Sequence, residues 1–489
     1  MIRRQHLTSP VQIFRSVQLW VTITALTLAP LFFGSVDLFW VAAWTILLSI
    51  SALCGLAAPM STKQSWILSS FLALCGVYAL VAIIQVTPNL IDQLNDPVWR
   101  STNALLDLNT LPRISGRAEI PPLAVGHFLL FATSFLSGFS VGTSRRSSDK
   151  LIRFAQYSIL VYALYGIAAL VFAPDTLLWA NKASYRGFLT ATFVNHNTAA
   201  TFVGAGALLW FCLAFSSVQS LQFSTVRMLL LSRTNEALAM RIILRSAAAL
   251  TCLFALLLTG SRGGLGCAAM GLLVAMILMA INKWRLSRWR ILTLAVMAFA
   301  LTLFWVSGIG RIASEGLIDN NRLSVYSSSI KAIRERPLLG AGAGTFSDMF
   351  PVFRDSNLWT WGVWDYAHST PLEIAFEMGI PVAAIIAIGA LASIFILMRA
   401  AATASERADR RVLAAIAGIA TLSYLHSLID FSLQIPGYFV VFGILLGCGL
   451  ARASAVRTES RRPTDSNAVK LISEHQSTEL GPIKVINFS

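Results

Sequence analysis

The chain has 489 residues, of which 56% are hydrophobic and 12% charged, and its mean hydropathy is +0.68. Soluble domains carry roughly 25% charged residues, so this composition excludes an ordinary soluble protein and predicts a polytopic membrane protein. The net charge of +15 lies mostly in short loops between apolar runs. That distribution is the orientation bias of membrane proteins, and no basic-aromatic pattern of a nucleic-acid-binding protein accompanies it.

Apolar runs recur along the whole chain, and a spanning helix needs about 20 such residues. The runs that meet this length, within a few residues, cover 17–33, 36–57, 66–86, 122–142, 151–173, 191–215, 246–261, 264–281, 291–308, 372–398, 412–430 and 436–451. The sequence therefore predicts an all-α fold with about 12 transmembrane helices.

The loops between these runs differ in charge. Lys and Arg gather in every second loop and in both chain ends, whereas the loops at 87–121, 174–190 and 308–371 fall on the other side. Because cytoplasmic loops carry the basic excess, the pattern predicts cytoplasmic termini and a periplasmic loop at about 308–371.

This topology divides the chain into three parts. They are a cytoplasmic N-terminal segment at 1–16, a transmembrane domain at 17–452 and a polar, aperiodic tail at 453–489 that we expect to be disordered. The cysteines all fall in apolar runs, so the sequence predicts neither a disulfide framework nor a thiolate metal site.

The loop at 308–371 is the longest polar interruption in the chain. Its charges balance, with six basic and six acidic residues. Asn320 and Asn321 can cap a helix whose apolar positions recur at helical spacing until Pro337 ends it, and the glycine-rich run at 340–344 then predicts a tight turn. We therefore expect the reactive site to include this long, neutral loop, which His368 closes.

Several arginines lie where membrane segments meet this side of the protein. Arg262 stands between two apolar runs and beside glycines that permit a close approach, and Arg186 precedes another run. Arginine suits phosphate because its charge is permanent and its donors are forked. The alternatives are a snorkelling side chain for Arg262 and an ordinary loop charge for Arg186.

His368 is followed by two carboxylates at helical spacing, Glu373 and Glu377. A carboxylate beside the imidazole would orient it and raise its basicity, as a general base requires. The alternative is that both glutamates pair with arginines of the loop. No histidine spacing resembles a zinc ligand set, so we predict no metal and no other cofactor.

Two further groups of residues are candidates for substrate binding. Asn195 and Asn197 can hydrogen-bond to sugar or pyrophosphate oxygens. Trp359, Trp361 and Trp364 offer flat faces to sugar rings, although tryptophan is also common at membrane interfaces.

Read together, these residues resemble the O-antigen ligase/O-antigen polymerase family. The resemblance covers roughly residues 180–440 and rests on the order of several blocks. The blocks are Gly187-Phe188 with Phe193-Val194-Asn195-His196-Asn197, Leu258-Thr259-Gly260-Ser261-Arg262-Gly263, Arg322 with Tyr326 and Ile333-Arg334-Glu335-Arg336-Pro337-Leu338-Leu339-Gly340, Ala367-His368-Ser369 with Glu373 and Glu377-Met378-Gly379, and His426-Ser427-Leu428-Ile429-Asp430-Phe431.

The resemblance implies a glycosyltransferase of the bacterial inner membrane that works without a metal and with inversion. It would take a glycan from undecaprenyl diphosphate at the periplasmic face and pass it to lipid A–core, to another lipid-linked repeat or to a protein. The family's loop histidine corresponds to His368, and its essential arginines correspond to Arg262 and Arg186. Membrane lipids are the other expected partners, and no nucleic acid is expected.

Our hypothesis is that Arg186 and Arg262, helped by Arg322, hold the donor diphosphate while His368 accepts the proton of the attacking hydroxyl. This requires the guanidinium groups and the imidazole to converge in one cavity. The rival from another class is a flippase or polysaccharide exporter. A transporter predicts charges buried near mid-membrane and related halves, whereas here the charged residues cluster at the outer ends of the apolar runs.

Overall fold

The structure is a computed structural model that describes residues 10–55, 59–219, 233–281, 320–355, 358 and 363–456. Within these ranges the chain forms fourteen α-helices and a single short antiparallel hairpin. The helices are α1 (Pro10–Leu28), α2 (Leu38–Gly55), α3 (Thr62–Val86), α4 (Pro97–Leu106), α5 (Pro122–Gly142), α6 (Arg145–Phe172), α7 (His196–Gln219), α8 (Arg233–Leu258), α9 (Arg262–Ala280), α10 (Asn320–Glu335), α11 (Phe346–Phe353), α12 (Thr370–Thr403), α13 (Arg407–Ser427) and α14 (Pro436–Ser454). The hairpin pairs β1 (Thr176–Leu177) with β2 (Ala180–Asn181).

Ten of these helices are long and apolar enough to cross a membrane, which confirms the prediction of an all-α, multi-pass membrane protein. They are α1, α2, α3, α5, α6, α7, α8, α9, α12 and α14. Helix α13 matches the predicted span at 412–430, but it begins with Arg407, Asp409, Arg410 and Arg411 and is not among the ten. The predicted span at 291–308 and most of the predicted tail lie outside the described residues.

Several helix boundaries in the structure differ by a few residues from the ends of the predicted spans. The first helix begins at Pro10, inside the segment predicted to precede the membrane. Its end comes at Leu28, α7 begins only at His196, and α13 ends at Ser427. The apolar stretches that remain, near 29–36, 191–195 and 428–435, therefore lie outside the α-helices, and the last contains a short 3-10 helix at Ser432–Gln434. All three lie at one end of the helix bundle, which we call the loop end because residues 87–121, 336–355 and 363–369 also lie there.

The bundle is held together by close contacts between small residues. A Cβ added at Gly138 of α5 would lie 2.1 Å from the carbonyl oxygen of Ile444 in α14, and one at Gly447 would lie 2.3 Å from the carbonyl oxygen of Phe135. Only glycine allows two helix backbones to approach this closely. Helix α14 is consequently buried along almost its whole length.

Helix α12 is broken at Gly379, whose φ of 82° and ψ of 165° interrupt the helical path two residues before Pro381. Proline has no N–H to donate. The N–H of Ile380 donates to the carbonyl of Pro337 at 2.8 Å instead of continuing the helix.

The break leaves two helix carbonyls for the large loop. Ala341 N–H donates to the carbonyl of Phe376 at 2.9 Å, and Gly342 N–H donates to the carbonyl of Glu377 at 3.0 Å. In a continuous helix the N–H of Ile380 would donate to the first of these carbonyls, whereas the second would have no donor because residue 381 is proline. The glycine-rich turn, predicted from the sequence, is thereby attached to the first part of α12.

The predicted helix of the large loop is confirmed as α10, which ends at Glu335 just before Pro337. The 87–121 loop, by contrast, contains the unpredicted helix α4. The two loops are joined by a buried ion pair between Arg336 and Asp96, with 2.8 Å between nitrogen and oxygen. A second, exposed pair joins Arg117 to Asp348 at 2.8 Å.

Candidate active site

His368 closes the large loop two residues before α12 begins. Its backbone is left-handed, with φ of 55°, which costs a non-glycine residue about 1–2 kcal/mol. The imidazole is half-buried. It packs edge-on against the rings of Trp364 and Phe431, with ring centroids 5.6 and 5.0 Å apart, and its Nδ1 lies 3.2 Å from the carbonyl oxygen of Tyr366.

Two hydrogen bonds hold the backbone on either side of this histidine. The N–H of Ala367 donates to a carboxylate oxygen of the buried Glu373 at 2.7 Å. The hydroxyl of Tyr326, from α10, donates to the carbonyl of His368 at 2.9 Å. The sequence predicted that a carboxylate would orient the imidazole. The hydrogen bond that the structure shows for Glu373 instead holds the Tyr366–Ala367 peptide bond, one residue before His368.

Glu377 has a related contact with the glycine-rich turn. Its two carboxylate oxygens accept from the N–H groups of Gly344 and Phe346, each at 3.0 Å. Both glutamates of α12 therefore hold backbone segments of the large loop.

A cavity of about 610 Å³ opens beside His368 at the loop end. Its walls are mostly aromatic and aliphatic, with a few polar groups. The lining residues are Phe33, Val36, Tyr185, Phe193, Val194, Asn195, Thr198, Asn321, Val363, Trp364, Asp365, Tyr366, His368, Phe431 and Ile435. A concave, largely apolar pocket with a few convergent polar groups is the usual form of a small-molecule site.

Three of the predicted site residues line this cavity: His368, Trp364 and Asn195. Asn195 is buried, and its side-chain oxygen accepts from the N–H of Asn197 at 2.7 Å, which supports the start of α7. Trp359 and Trp361, also predicted, lie outside the described residues.

Asn197 does not line the cavity but belongs to a buried polar network beneath it. Its Nδ2 donates to Asp430 at 2.8 Å, and its Oδ1 accepts from the hydroxyl of Ser261 at 2.7 Å. Ser432 donates to the other oxygen of Asp430 at 2.6 Å. The network joins the starts of α7 and α9 to the irregular segment after α13.

Arg262 is the first residue of α9, directly after the capping residue Ser261. A Cβ added at the next residue, Gly263, would lie 2.8 Å from the side chain of Ile429 and 3.4 Å from His426 Nε2. The start of α9 therefore packs against the segment that contains Asp430.

Arg322 reaches the same segment from α10, because its Nη1 donates to the carbonyl of Ile429 at 3.0 Å. The segment continues through Asp430 to Phe431, whose ring contacts His368. The predicted substrate residue Arg322 and the predicted catalytic histidine are thus both anchored on residues 429–431.

Arg186 is placed differently. It is largely exposed, with its Nε 3.9 Å from the carboxylate of Asp175 and 3.3 Å from the carbonyl of Lys182. Its neighbour Tyr185 lines the cavity. The structure thus places Arg186 beside the cavity opening, in contact with its own loop.

Tyr185 is the most informative residue that the sequence analysis missed. It has a left-handed backbone, with φ of 58°, and its ring stacks on His196 with centroids 4.3 Å apart. Burial raises the pKa of its phenol, the charge of Asp430 raises it further, and Arg322 lowers it. Tyr185, Asp430 and Arg322 are therefore within electrostatic range of one another. The only sequence signal was the glycine at 187, which marks a turn.

Other missed residues complete the walls. Phe33 comes from the turn after α1, and Phe431 stacks on Tyr366 with centroids 4.5 Å apart. Thr198 is fully buried, and its hydroxyl oxygen has no hydrogen-bond partner within the part of the chain that the structure describes. The Thr198 hydroxyl is thus an unsatisfied polar group in the described part of the cavity wall.

The histidines do not form a metal site with other ligands in the described part of the chain, where no three His, Cys, Asp or Glu side chains are grouped closely enough to hold an ion. His196 has its Nδ1 2.7 Å from the carbonyl oxygen of Thr259. His127 packs edge-on against Phe439, with centroids 5.7 Å apart.

Comparison with known proteins agrees with this arrangement. Residues 247–387 match the model of the O-antigen ligase family, a stretch that contains Arg262, Arg322, Trp364, His368 and Glu373. No curated protein matches the sequence. The chain is thus a multi-pass membrane protein in which residues 247–387 match the O-antigen ligase family.

Proposed function

We propose that the protein is a membrane glycosyltransferase that moves a glycan from an undecaprenyl-diphosphate-linked donor to an acceptor hydroxyl. The O-antigen ligase domain and the ten membrane helices support a membrane enzyme that processes glycans. The observation that carries the proposal is the position of His368, which lines an aromatic cavity. His368 and Arg322 also contact the same segment, residues 429–431.

The cavity suits a sugar ring better than a diphosphate. Its described lining contains aromatic faces from Tyr185, Trp364, Tyr366 and Phe431 and a single charged side chain, the carboxylate of Asp365. Burial and nearby carboxylates, Glu373 among them, raise the pKa of Tyr366, so its phenol stays protonated and able to donate a hydrogen bond. We assign the cavity to a sugar ring of the donor or acceptor.

The diphosphate is assigned to the neighbouring surface where Arg262 and Arg322 approach residues 429–431. Helices α7, α9, α12 and α14 all begin at this end of the bundle, and the N-terminus of a helix favours an anion. Arg186 lies beside the opening and would meet a diphosphate after exchanging its contact with Asp175. Guanidinium groups would then hold the leaving diphosphate without a metal ion.

In the proposed reaction the acceptor oxygen attacks the anomeric carbon of the donor sugar. The bond from that carbon to the phosphate oxygen breaks, the diphosphate leaves with the electron pair, and His368 receives the acceptor proton. Attack from the face opposite the diphosphate inverts the anomeric centre. Asn195 and the hydroxyl of Thr198 are placed to hydrogen-bond to a sugar in the cavity.

We further propose the bacterial inner membrane as the location, with both termini cytoplasmic and the loop end periplasmic. The charge distribution of the loops supports this orientation. Lipid A–core, a second lipid-linked repeat and a protein hydroxyl remain the proposed acceptor classes. A deletion strain separates them: short surface chains indicate a polymerase, free lipid A–core with accumulated polymer indicates a ligase, and loss of glycan from proteins indicates protein glycosylation.

The catalytic proposal is tested with purified protein in detergent, lipid-linked oligosaccharide and acceptor, with no gradient applied. We expect transfer by the unmodified protein, and a loss of about 10²–10⁴-fold in His368→Ala, the range for removing a general base. His475→Ala, in the C-terminal tail, is the matched control. Full transfer by His368→Ala contradicts the proposed base, and no transfer by the unmodified protein favours a transporter.

A further inference from the structure

The 87–121 loop between α3 and α5 exposes an unusual number of aliphatic side chains. Leu105 is 82% exposed, Leu106 64% and Leu111 53%. We call the exposed set the leucine patch, and it consists of Leu90, Leu94, Leu105, Leu106, Leu108 and Leu111. Contiguous exposed apolar surface of this kind marks a site of contact with a membrane or with another molecule.

The exposure does not come from a lack of structure in the loop. Asn89 N–H donates to the carbonyl of Pro112 at 2.9 Å, and Asp96 N–H donates to the carbonyl of Arg113 at 2.7 Å. Asn103 Nδ2 donates to the carbonyl of Thr110 at 2.8 Å. These bonds bring the two leucine-containing stretches together on one folded unit, which presents the leucines outward.

The position of the folded 87–121 loop along the membrane normal is set by its attachment to α3. Arg113 Nε donates to the carbonyl of Val86, the last residue of that membrane helix, at 3.0 Å. Leu90 follows four residues later, and a chain spans at most about 3.5 Å per residue. The patch therefore begins within roughly 14 Å of the point where α3 ends, and the last turns of α3 themselves expose Leu80 and Ile83.

From this geometry we infer that the leucine patch rests in the bilayer surface at the loop end, with lipid as its occupant. The exposed charges beside it are Asp92, Asp107 and Arg100, which do not form a basic surface. The contact is accordingly apolar and does not require anionic lipid, unlike a basic interfacial helix.

The anchoring reaches the large loop through buried contacts. Asp96 caps α4 and pairs with Arg336, at the junction between α10 and the glycine-rich turn. Gln85, at the end of α3, accepts from the N–H of Ala343 at 3.0 Å and donates to the carbonyl of Glu377 at 2.7 Å. The leucine patch thus fixes the height of the 336–349 segment above the bilayer.

The test places a fluorophore at the patch in protein reconstituted into zwitterionic phosphatidylcholine nanodiscs. The half-buried cysteines Cys54, Cys75 and Cys267 are replaced first, and NBD is attached at Leu105→Cys. The matched control is Arg100→Cys, on the same helix and about 140° away around its axis. We expect nitroxide-labelled lipid to quench the Leu105 probe about threefold or more beyond the control probe. Iodide in the aqueous phase should quench the control probe more strongly than the Leu105 probe.

Equal lipid quenching at the two positions, or a Leu105 probe fully open to iodide, overturns the inference. Crosslinking between two copies through Leu105→Cys also overturns it, because the patch would then be a protein interface. A second variant guards against misfolding: Leu105→Glu/Leu106→Glu should elute as the unmodified protein does and lose lipid quenching at a probe on Leu111→Cys. If lipid still quenches the Leu111→Cys probe in this variant, the leucine patch does not anchor the loop in the bilayer.

Discussion

At the scale of single residues, the structure explains how a histidine in a loop is held in one orientation. The peptide bonds around His368 are fixed by Glu373 on one side and Tyr326 on the other. The left-handed backbone at this position persists because the surrounding contacts determine it. We therefore expect Glu373 to act by positioning the histidine.

This role makes a prediction about two substitutions of Glu373. Glu373→Ala removes the acceptor for Ala367 N–H and should lower kcat by about 10–10²-fold, the cost of a misplaced catalytic group. Glu373→Gln keeps a carbonyl oxygen in the same place and should restore most of the activity, with KM little changed in both. Steady-state kinetics of the two purified variants check it. If Gln is as inactive as Ala, the carboxylate charge matters and the backbone bond does not.

A second prediction concerns the proposed diphosphate site. Arg322→Ala should reduce kcat by about 10²–10³-fold, the range for losing one group that stabilises a developing negative charge. The control is Arg334→Ala on the same helix, an exposed residue, which should change kcat by less than about twofold. Equal effects of the two substitutions would count against a specific role for Arg322.

At the scale of elements, the break in α12 determines where the large loop attaches. A Cβ at Gly379 would lie 2.3 Å from the carbonyl oxygen of Leu338, at a backbone φ of 82°. Both the conformation and the close approach therefore require glycine. Without the break, the carbonyl of Phe376 would accept from Ile380 within the helix, and the glycine-rich turn would lose the bond that Ala341 makes to it.

Gly379→Ala should therefore destabilise the protein by roughly 2–4 kcal/mol, from the backbone conformation and the overlap together. Gly389→Ala on the same helix is the control, because its added Cβ would be 3.5 Å from the nearest atom, in Leu74. That change should be neutral or slightly stabilising, since alanine favours a helix. Thermal unfolding in detergent distinguishes the two, and equal midpoints would show that the break tolerates a side chain.

At the scale of the whole molecule, the two loops at the loop end act as one unit through the Arg336–Asp96 pair. The side chains are 17% and 1% exposed. Removing one partner of a buried pair leaves an uncompensated charge and costs about 3–5 kcal/mol. The pair therefore couples the folding of the two loops.

Arg336→Ala should lower the midpoint of thermal unfolding in detergent by several degrees, whereas the exposed Arg334→Ala should leave it within about one degree. Adding Asp96→Leu to Arg336→Ala should recover part of the loss, because no buried charge remains unpaired. If Arg336→Ala unfolded at the same midpoint as the unmodified protein, water would have to reach the Asp96 carboxylate.

Much of the fold was predictable because it depends on local properties of the sequence. Runs of apolar residues predicted eleven of the long helices that the structure describes, since a membrane helix must be apolar over its length. Pro337 marked the end of α10 correctly because the effect of proline acts within one helical turn. His368 and Arg262 were recognisable as candidates because polar groups are rare next to membrane helices.

The walls of the cavity were not predictable in this way. Phe33 and Phe193 are apolar and were included in predicted spans, and Phe431 lies directly after one. All three nevertheless belong to segments that lie outside the α-helices and line the cavity. Hydropathy cannot distinguish an apolar residue that faces lipid from one that faces a substrate cavity. The roles of Glu373 and Asn197 were also unpredictable, because their hydrogen-bond partners depend on which segments meet.

The sequence by itself determined that the chain is a helical membrane protein with a polar loop ending in a histidine. Those features follow from composition and from the spacing of neighbouring residues. Only the tertiary structure decided that segments as distant as Tyr185, Arg322, His368 and Asp430 gather at one end of the bundle. That arrangement depends on the break in α12, on close glycine contacts between helices and on buried polar bonds, and each of these joins residues far apart in the chain.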